Sequence, residues 1–184
     1  RNYFPKLKIH ASTQMQNHNS LGAAFSERMG FERIILAREL MLDEIKNVRE
    51  NSNIELEAFT HGALCYSMSG ACLFSSYLGG SGANRGLCAQ PCRRYYYVNE
   101  DKKFLFSLKD HQLIDYVPQL AKAGIKSFKI EGRMKSGEYT HKVAQAYRMA
   151  IDNPDQIEEA KKLLQLDMGR DKTSFFIGQN ISQA

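Results

Sequence analysis

The stretch Arg33-Ile-Ile-Leu-Ala-Arg38-Glu-Leu-Met-Leu42-Asp-Glu-Ile-Lys-Asn-Val-Arg-Glu50-Asn-Ser-Asn-Ile54-Glu-Leu-Glu-Ala-Phe59 decides the fold class. A β-branched run, Arg33 to Ala37, opens it, and an alternating run, Ile54 to Phe59, closes it. Between them Leu42, Ile45 and Val48 recur at helical spacing. Asp43 and Glu44 stand where the partial positive charge of a helix N-terminus favours acids. Strand, helix, strand is the signature of a parallel crossover, because parallel strands cannot be joined by a tight turn. Upstream, Leu7 to Ser12 is a further run, so strands recur at intervals of 21 to 26 residues. Ser20 to Met29, with Leu21, Ala24, Phe25 and Met29 on one stripe and Gly30 as its stop, supplies the intervening helix.

Downstream of Phe59 the rhythm breaks. Gly62, Gly70, Gly79, Gly80, Gly82 and Gly86 punctuate a cysteine-rich insertion over 62–109. Tyr95 to Val98 and Lys103 to Leu108, separated by Asn99-Glu-Asp, read as a β-hairpin within it. The alternation then resumes. Leu113, Ile114, Val117, Leu120 and Ala121 form a helical stripe kinked or split by Pro118 and ended by Gly124, and Lys126 to Ile130 is the fourth strand. Helices follow from Gly137 to Ile151, capped by Ser136, and from Asp155 to Leu166 after Asn153-Pro154. Asp167 to Ala184 reads as a loosely held tail.

Composition fits one α/β domain over residues 1–184: 43% of the 184 residues are apolar, enough for one core. No apolar run approaches the roughly 18 residues needed to span a bilayer, and no signal peptide opens the chain, so a soluble cytoplasmic protein with no membrane partner is expected. The chain lacks Gly-x-Gly-x-x-Gly, Gly-x4-Gly-Lys-Ser/Thr, His-Glu-x-x-His and Gly-x-Ser-x-Gly. Those routes to nucleotide binding, zinc proteolysis and serine hydrolysis are unsupported.

All four cysteines, Cys65, Cys72, Cys88 and Cys92, fall within 28 consecutive residues, with six, fifteen and three residues between them. A chain this long does not need disulfide staples, which points to thiolate ligation, and the absence of paired Cys-x-x-Cys knuckles favours an iron–sulfur cluster over zinc. Zinc and unligated thiols stay open: at i and i+7, Cys65 and Cys72 would share a helix face as buried structural thiols. Residues 85–109 carry a formal +4, with Arg85, Arg93 and Arg94 beside Tyr95, Tyr96 and Tyr97, a pattern suited to gripping RNA phosphates and stacking a base. Solvated strand faces, with Tyr96 turned to the core, are the plainer reading. Glu57, near the end of its strand, and His61 are the leading catalytic candidates. The plainer reading pairs Glu57 with a cation such as Arg38 and makes His61 a loop-shaping residue. Lys129, Glu131 and Arg133 end the fourth strand, where an internal ion-pair network competes with a catalytic role.

The motifs Glu57-Ala-Phe-Thr-His61-Gly62-Ala-Leu-Cys65 and Asn84-Arg85-Gly86-x-Cys88-Ala-Gln-Pro-Cys92-Arg93 resemble those of the collagenase-like peptidase family U32. The likeness extends to His10-Ala-Ser-Thr-Gln14, Leu36-Ala-Arg38-Glu39-Leu40, Phe106-Ser-Leu-Lys-Asp110 and Lys129-Ile-Glu131-Gly-Arg133-Met-Lys-Ser136. It implies a partial TIM-like (β/α) barrel, the C-terminal half of an eight-stranded barrel truncated on its N-terminal side. Such a piece would leave Leu7 to Ser12 as an open edge for a homodimer. It also implies an oxygen-independent hydroxylase of RNA, acting on a tRNA wobble uridine or on rRNA. In that reading a [4Fe–4S] cluster sits on the four cysteines and prephenate is the hydroxyl source. Lys129 and Arg133 would then clamp the dicarboxylate, and the isolated half would carry the cluster, zinc or neither. Proteolysis, as the family name says, and a non-catalytic RNA-binding or partner role are the alternatives.

Overall fold

The computed structural model describes residues 3–133, 135–165 and 169–179. In chain order the elements are β1 (His10–Ala11), α1 (Ser20–Arg28), β2 (Arg33–Ile35), α2 (Leu42–Glu50), β3 (Glu55–Ala63) and α3 (Phe74–Gly79). There follow β4 (Tyr96–Val98), β5 (Asp101–Lys103), β6 (Asp110–Gln112), α4 (Val117–Lys122), β7 (Ile125–Ile130), α5 (Gly137–Asp152), α6 (Ile157–Leu164), β8 (Lys172–Thr173) and α7 (Phe175–Gly178). Strands β1, β2, β3 and β7 lie side by side and parallel, the crossover pattern expected from the sequence.

The sheet is mixed, however. Strand β3 has nine residues and β2 three, so the far end of β3 outruns its parallel neighbour. Strand β6 covers that edge, pairing antiparallel through His61↔Gln112, Gly62↔His111 and Ala63↔Asp110, and β8 adds in parallel to β6. This satisfies backbone groups that would otherwise be orphaned. Among the described residues the sheet is open, with β1, β7 and β8 each paired on one side only, and no closed barrel forms.

Local chemistry sets the helix ends. Asn19 Oδ1 accepts from Gly22 N at 2.9 Å to start α1, Glu44 Oε2 accepts from Met41 N at 2.7 Å at α2, and Ser136 Oγ accepts from Tyr139 N at 3.1 Å at α5. Pro118 stands in the first turn of α4, after a 3-10 turn at Ile114–Tyr116, so the expected helix is split there. Helices α1, α2 and α4 pack Ala23, Ile45, Val48, Leu120 and Ala123 on Ile34, Leu36, Leu56, Ala58 and Ile125 of the sheet. Helices α5 and α6 build a second core from Val143, Ala146, Tyr147, Ala150, Ala160 and Leu164 with Ile114 and Val117. Period-two alternation then turns Glu55, Glu57, Ser127 and Lys129 to the opposite face of the sheet, which is polar.

Several expectations need correction. The strand Leu7 to Ser12 contracts to His10–Ala11, so its edge offers two residues for pairing, and Leu7 is exposed. The hairpin forms, with Asn99 at φ 56, but its return strand is Asp101–Lys103 and residues 104–108 leave the ladder. The tail is anchored over 169–179. Arg170 pairs with buried Asp110 at 2.5 Å, β8 joins the sheet and Ile177 enters the core. The expected helix end at Leu166, the expected tail at 167–168 and 180–184, and Met134 of the Lys129-to-Ser136 motif lie outside the described residues. Among the described residues no helix is long and apolar enough to cross a membrane.

Candidate functional site

The polar face centres on Glu57, which is 7% exposed. Its Oε1 accepts from Lys129 Nζ at 3.0 Å, and its Oε2 accepts from Ser127 Oγ at 3.0 Å and Arg33 Nη1 at 3.3 Å. Burial pushes the carboxyl up, but the donors from Lys129 and Ser127, with the Lys129 and Arg33 cations, outweigh it and hold the group below the usual carboxylate range. Glu57 is therefore a committed anion that ties β2, β3 and β7 together. The cations are Arg33 and Lys129 rather than Arg38, whose guanidinium lies 5.1 Å over the Phe59 ring.

His61 belongs to a different contact set. It is buried against Tyr139 and Tyr147, with ring centroids 6.1 and 5.6 Å away. The Tyr147 hydroxyl donates to Thr60 O at 2.6 Å, accepts from Leu113 N at 3.1 Å and lies 3.5 Å from His61 Nδ1. Gly62 takes φ 106, and a Cβ there would collide with the Glu131 carbonyl, so only glycine lets β3 and the residue after β7 approach this closely. Glu131 N donates to His61 O at 2.8 Å, and the Glu131 carboxylate accepts from Arg133 N at 3.1 Å. Arg133 Nη1 reaches Gly86 O at 3.2 Å. Lys129 and Arg133 thus point to separate partners, Glu57 and the cysteine-bearing segment, and the dicarboxylate clamp expected of them is not assembled.

All four cysteines are free thiols. Cys88 is exposed and the other three are half-buried. No helix spans residues 65–72, so Cys65 and Cys72 share no helix face and neither is a buried structural thiol. Burial pushes the Cys92 thiol up. Arg93 draws it down, and Cys65 and Cys88 push it up again, so both of those thiols lie within electrostatic reach of Cys92. Cys88 Sγ accepts from Gln90 N at 3.3 Å and Ser75 Oγ at 3.8 Å, and the Tyr66 backbone N–H favours the Cys92 thiolate. Donors aimed at sulfur suit a thiolate-bound cluster. The donor set fits such a group in kind, but among the described residues no cluster of three or more His, Cys, Asp or Glu is arranged as a metal site.

Arg93 is committed to structure. It donates through Nη1 to Ser107 Oγ at 2.9 Å and Leu108 O at 2.6 Å, and through Nη2 to Leu64 O, stitching the cysteine segment to the end of β3. Tyr66, Phe74, Tyr96 and Phe106 form a small aromatic core beside it, so Tyr96 faces inward. Arg85 and Arg94 are exposed and form no ion pair among the described residues. Sequence reasoning missed two groups here. The Asp110–Arg170 pair spans 60 positions with nothing local to announce it. His111, 3% exposed, is pushed down to about 3 by burial, then by the Arg38 and His61 charges, and its only sequence signal is a histidine next to Asp110.

A sequence profile of Peptidase family U32 matches residues 1–183. The chain belongs to this family. Among its relatives, this U32 chain is 41% identical to an uncharacterized protease of Methanocaldococcus jannaschii, over 96% of the chain and 48% of that protein. It is 39% identical to a tRNA hydroxylation protein of Bacillus subtilis, over 83% of the chain and 39% of that protein. It is 38% identical to a 23S rRNA 5-hydroxycytidine synthase of Escherichia coli, over 93% of the chain and 27% of that protein. The U32 chain thus spans about half or less of the length of these relatives. No solved structure matches it.

Proposed function

We propose that this U32 chain belongs to an iron–sulfur-dependent, oxygen-independent hydroxylase of an RNA base, a tRNA wobble uridine or an rRNA cytidine, with prephenate as hydroxyl source. What carries the reading is the gathering of four free thiols in one short segment of the sequence, which also holds Arg85 and Arg94, neither of them ion-paired among the described residues. The names of the tRNA- and rRNA-modifying relatives support it, and family membership supports an enzyme in general terms. Cys65, Cys72, Cys88 and Cys92 would hold a [4Fe–4S] cluster, which when bound supplies the one-electron chemistry that hydroxylation without oxygen requires.

The chain's own residues then divide the work. Arg85 and Arg94 meet RNA phosphates, with exposed Tyr97 offering a stacking surface. Arg93 fixes the cysteine segment to the sheet, and Arg133 holds its Gly86 turn against the end of β7. Glu57, ionised and bonded to three donors, sets the polar face rather than moving a proton. His61 and Glu131 shape the join between β3 and β7. In this proposal residues 1–184 form one domain, 62–109 is its cofactor-bearing insertion, and the protein works in the cytoplasm. Self-association through β1 belongs to the same proposal and is read by sedimentation.

The test is nucleoside mass spectrometry on a bacterial strain lacking its own tRNA and rRNA hydroxylation proteins and supplied with this protein. Hydroxylated uridine or cytidine is expected with the parent and absent with Cys65→Ser. Unmodified RNA, together with gelatin cleavage by the purified protein, would assign the chain to peptidase chemistry instead.

A further inference from the structure

Residues 69–70 of the cysteine-bearing segment are gripped from outside that segment by three hydrogen bonds. Ser69 N donates to Glu39 Oε1 at 2.6 Å, Arg38 N donates to Ser69 Oγ at 3.3 Å, and Gln16 Nε2 donates to Gly70 O at 3.1 Å. Ser69 is 1% exposed although it lies in a loop. The approach is close: Gly70 takes φ 77, and a Cβ there would stand 2.7 Å from Thr13 O and 2.8 Å from Gln16 Cγ. His18 touches both side chains that grip the turn. Its Nδ1 lies 2.7 Å from Gln16 O, and a carbonyl can only accept, so Nδ1 carries the proton and Nε2 of the neutral ring is an acceptor. That Nε2 faces Glu39 Oε2 at 4.0 Å, and both atoms are buried without a hydrogen-bond partner. Ala71 N donates to Met68 O at 3.1 Å to close the turn, and Cys72 follows directly.

We propose that His18 and Glu39 are positioning residues for Cys72. They belong to the loops after β1 and β2, and together they latch the turn that delivers this thiol. The other three cysteines have fastenings of their own: Cys65 follows Leu64, whose carbonyl Arg93 holds, Cys92 adjoins Arg93, and Cys88 Sγ accepts from Gln90 N and Ser75 Oγ. Cys72 lies between the latched turn and the start of α3 at Phe74, so the latch sets where the loop enters that helix and with it the place of the thiol. A carboxylate accepting a backbone N–H makes a charge-assisted bond, the strong kind, and His18, anchored to Gln16 O, stands behind the other carboxylate oxygen. That the positioned thiol serves a cluster rests on the function proposed above, whereas the latch itself does not.

The experiment uses the metal-free 184-residue chain. Amide hydrogen exchange by NMR reads the Ser69 N–H, and timed iodoacetamide labelling with peptide mass spectrometry reads each cysteine, exposed Cys88 serving as the reference. In the parent the Ser69 amide is expected to be protected. Glu39→Ala should raise its exchange and the labelling rate of Cys72 roughly tenfold, the loss of one charge-assisted hydrogen bond, with Cys88 unchanged. His18→Ala should move both readouts the same way by a smaller factor. Glu39→Gln should restore the parent's values, because its amide oxygen still accepts from Ser69 N and its NH2 gives His18 Nε2 the donor it lacks. Thermal melting checks that the variants are folded; should Glu39→Ala be unfolded, Ser69 protection in the parent and its retention in Glu39→Gln decide. A Ser69 amide that exchanges freely in the parent, a Cys72 rate unmoved in folded Glu39→Ala, failure of Glu39→Gln to restore it, or equal acceleration at all four thiols would overturn the proposal. Selective release of Cys72 in a chain that takes up no iron on reconstitution would refute the cluster reading and leave the latch standing.

Discussion

Replacing Glu57 by Gln keeps the shape of the side chain and removes one charge from the centre of the polar face. The variant gives up two charge-assisted contacts, to Lys129 at 3.0 Å and Arg33 at 3.3 Å, and keeps a neutral partner in Ser127. Hydrogen bonds to charged groups contribute about 1.5–3 kcal/mol each. Both cations are partly hydrated, at 38% and 26% side-chain exposure, and Arg33 retains Glu55, so the sum is discounted to about 2 kcal/mol. For a chain of this size that is a fall in Tm of roughly 4–8 °C. Urea denaturation at pH 7 measures it, and a double-mutant cycle with Lys129→Met should return a coupling of about 1 kcal/mol. Because the folded carboxyl lies below the ordinary 4.5, its contribution is complete above that pH and lost as pH falls through the lower folded value, so parent and variant should converge in acid. A Glu57→Gln protein within about 0.5 kcal/mol of the parent at pH 7 would refute the assignment of Glu57 as the tie between β2, β3 and β7.

Three further outcomes are expected. Gly62→Ala should cost about 3 kcal/mol by chemical denaturation, since φ 106 is strained for any side chain and the new Cβ meets the Glu131 carbonyl. Arg93→Met should cost about 2–4 kcal/mol and make residues 66–106 the first site of limited proteolysis, because Leu64, Ser107 and Leu108 lose their common donor. His111 imposes an acid limb. Its folded value near 3 lies below the ordinary 6.5, so the unfolded chain binds the extra proton and stability falls between those values, by about 2 kcal/mol at pH 5. A stability–pH profile of His111→Asn should lack that limb.

Much of the architecture was legible where local signals agree with the tertiary stripe. Helix α2 runs from Leu42 to Glu50 as read, because its acidic first turn and its buried Ile45 and Val48 ask for the same helix. The Ser136 cap and the parallel strands at 33, 55 and 125 were visible for the same reason. What stayed hidden depends on distant partners. The antiparallel pairing of β6 to the end of β3 follows from the unequal lengths of β2 and β3, which no local pattern states. Asp110 needs Arg170, and Glu57 chose Arg33 and Lys129 over the nearer-looking Arg38 because strand alternation puts those two on its face. At the site, the clustering of four free thiols in one segment was legible. The fastening of their segment by Arg93, Arg133 and Glu39 emerges only when the chain is folded.

The central claim is that Cys65, Cys72, Cys88 and Cys92 hold a redox cluster in a U32 enzyme, and anaerobic reconstitution with iron and sulfide followed by Mössbauer spectroscopy tests it most directly. The account predicts a single [4Fe–4S] population in the parent and its loss in Cys88→Ser and Cys92→Ser. Stoichiometric zinc, or iron retained undiminished when those thiols are removed, would contradict it.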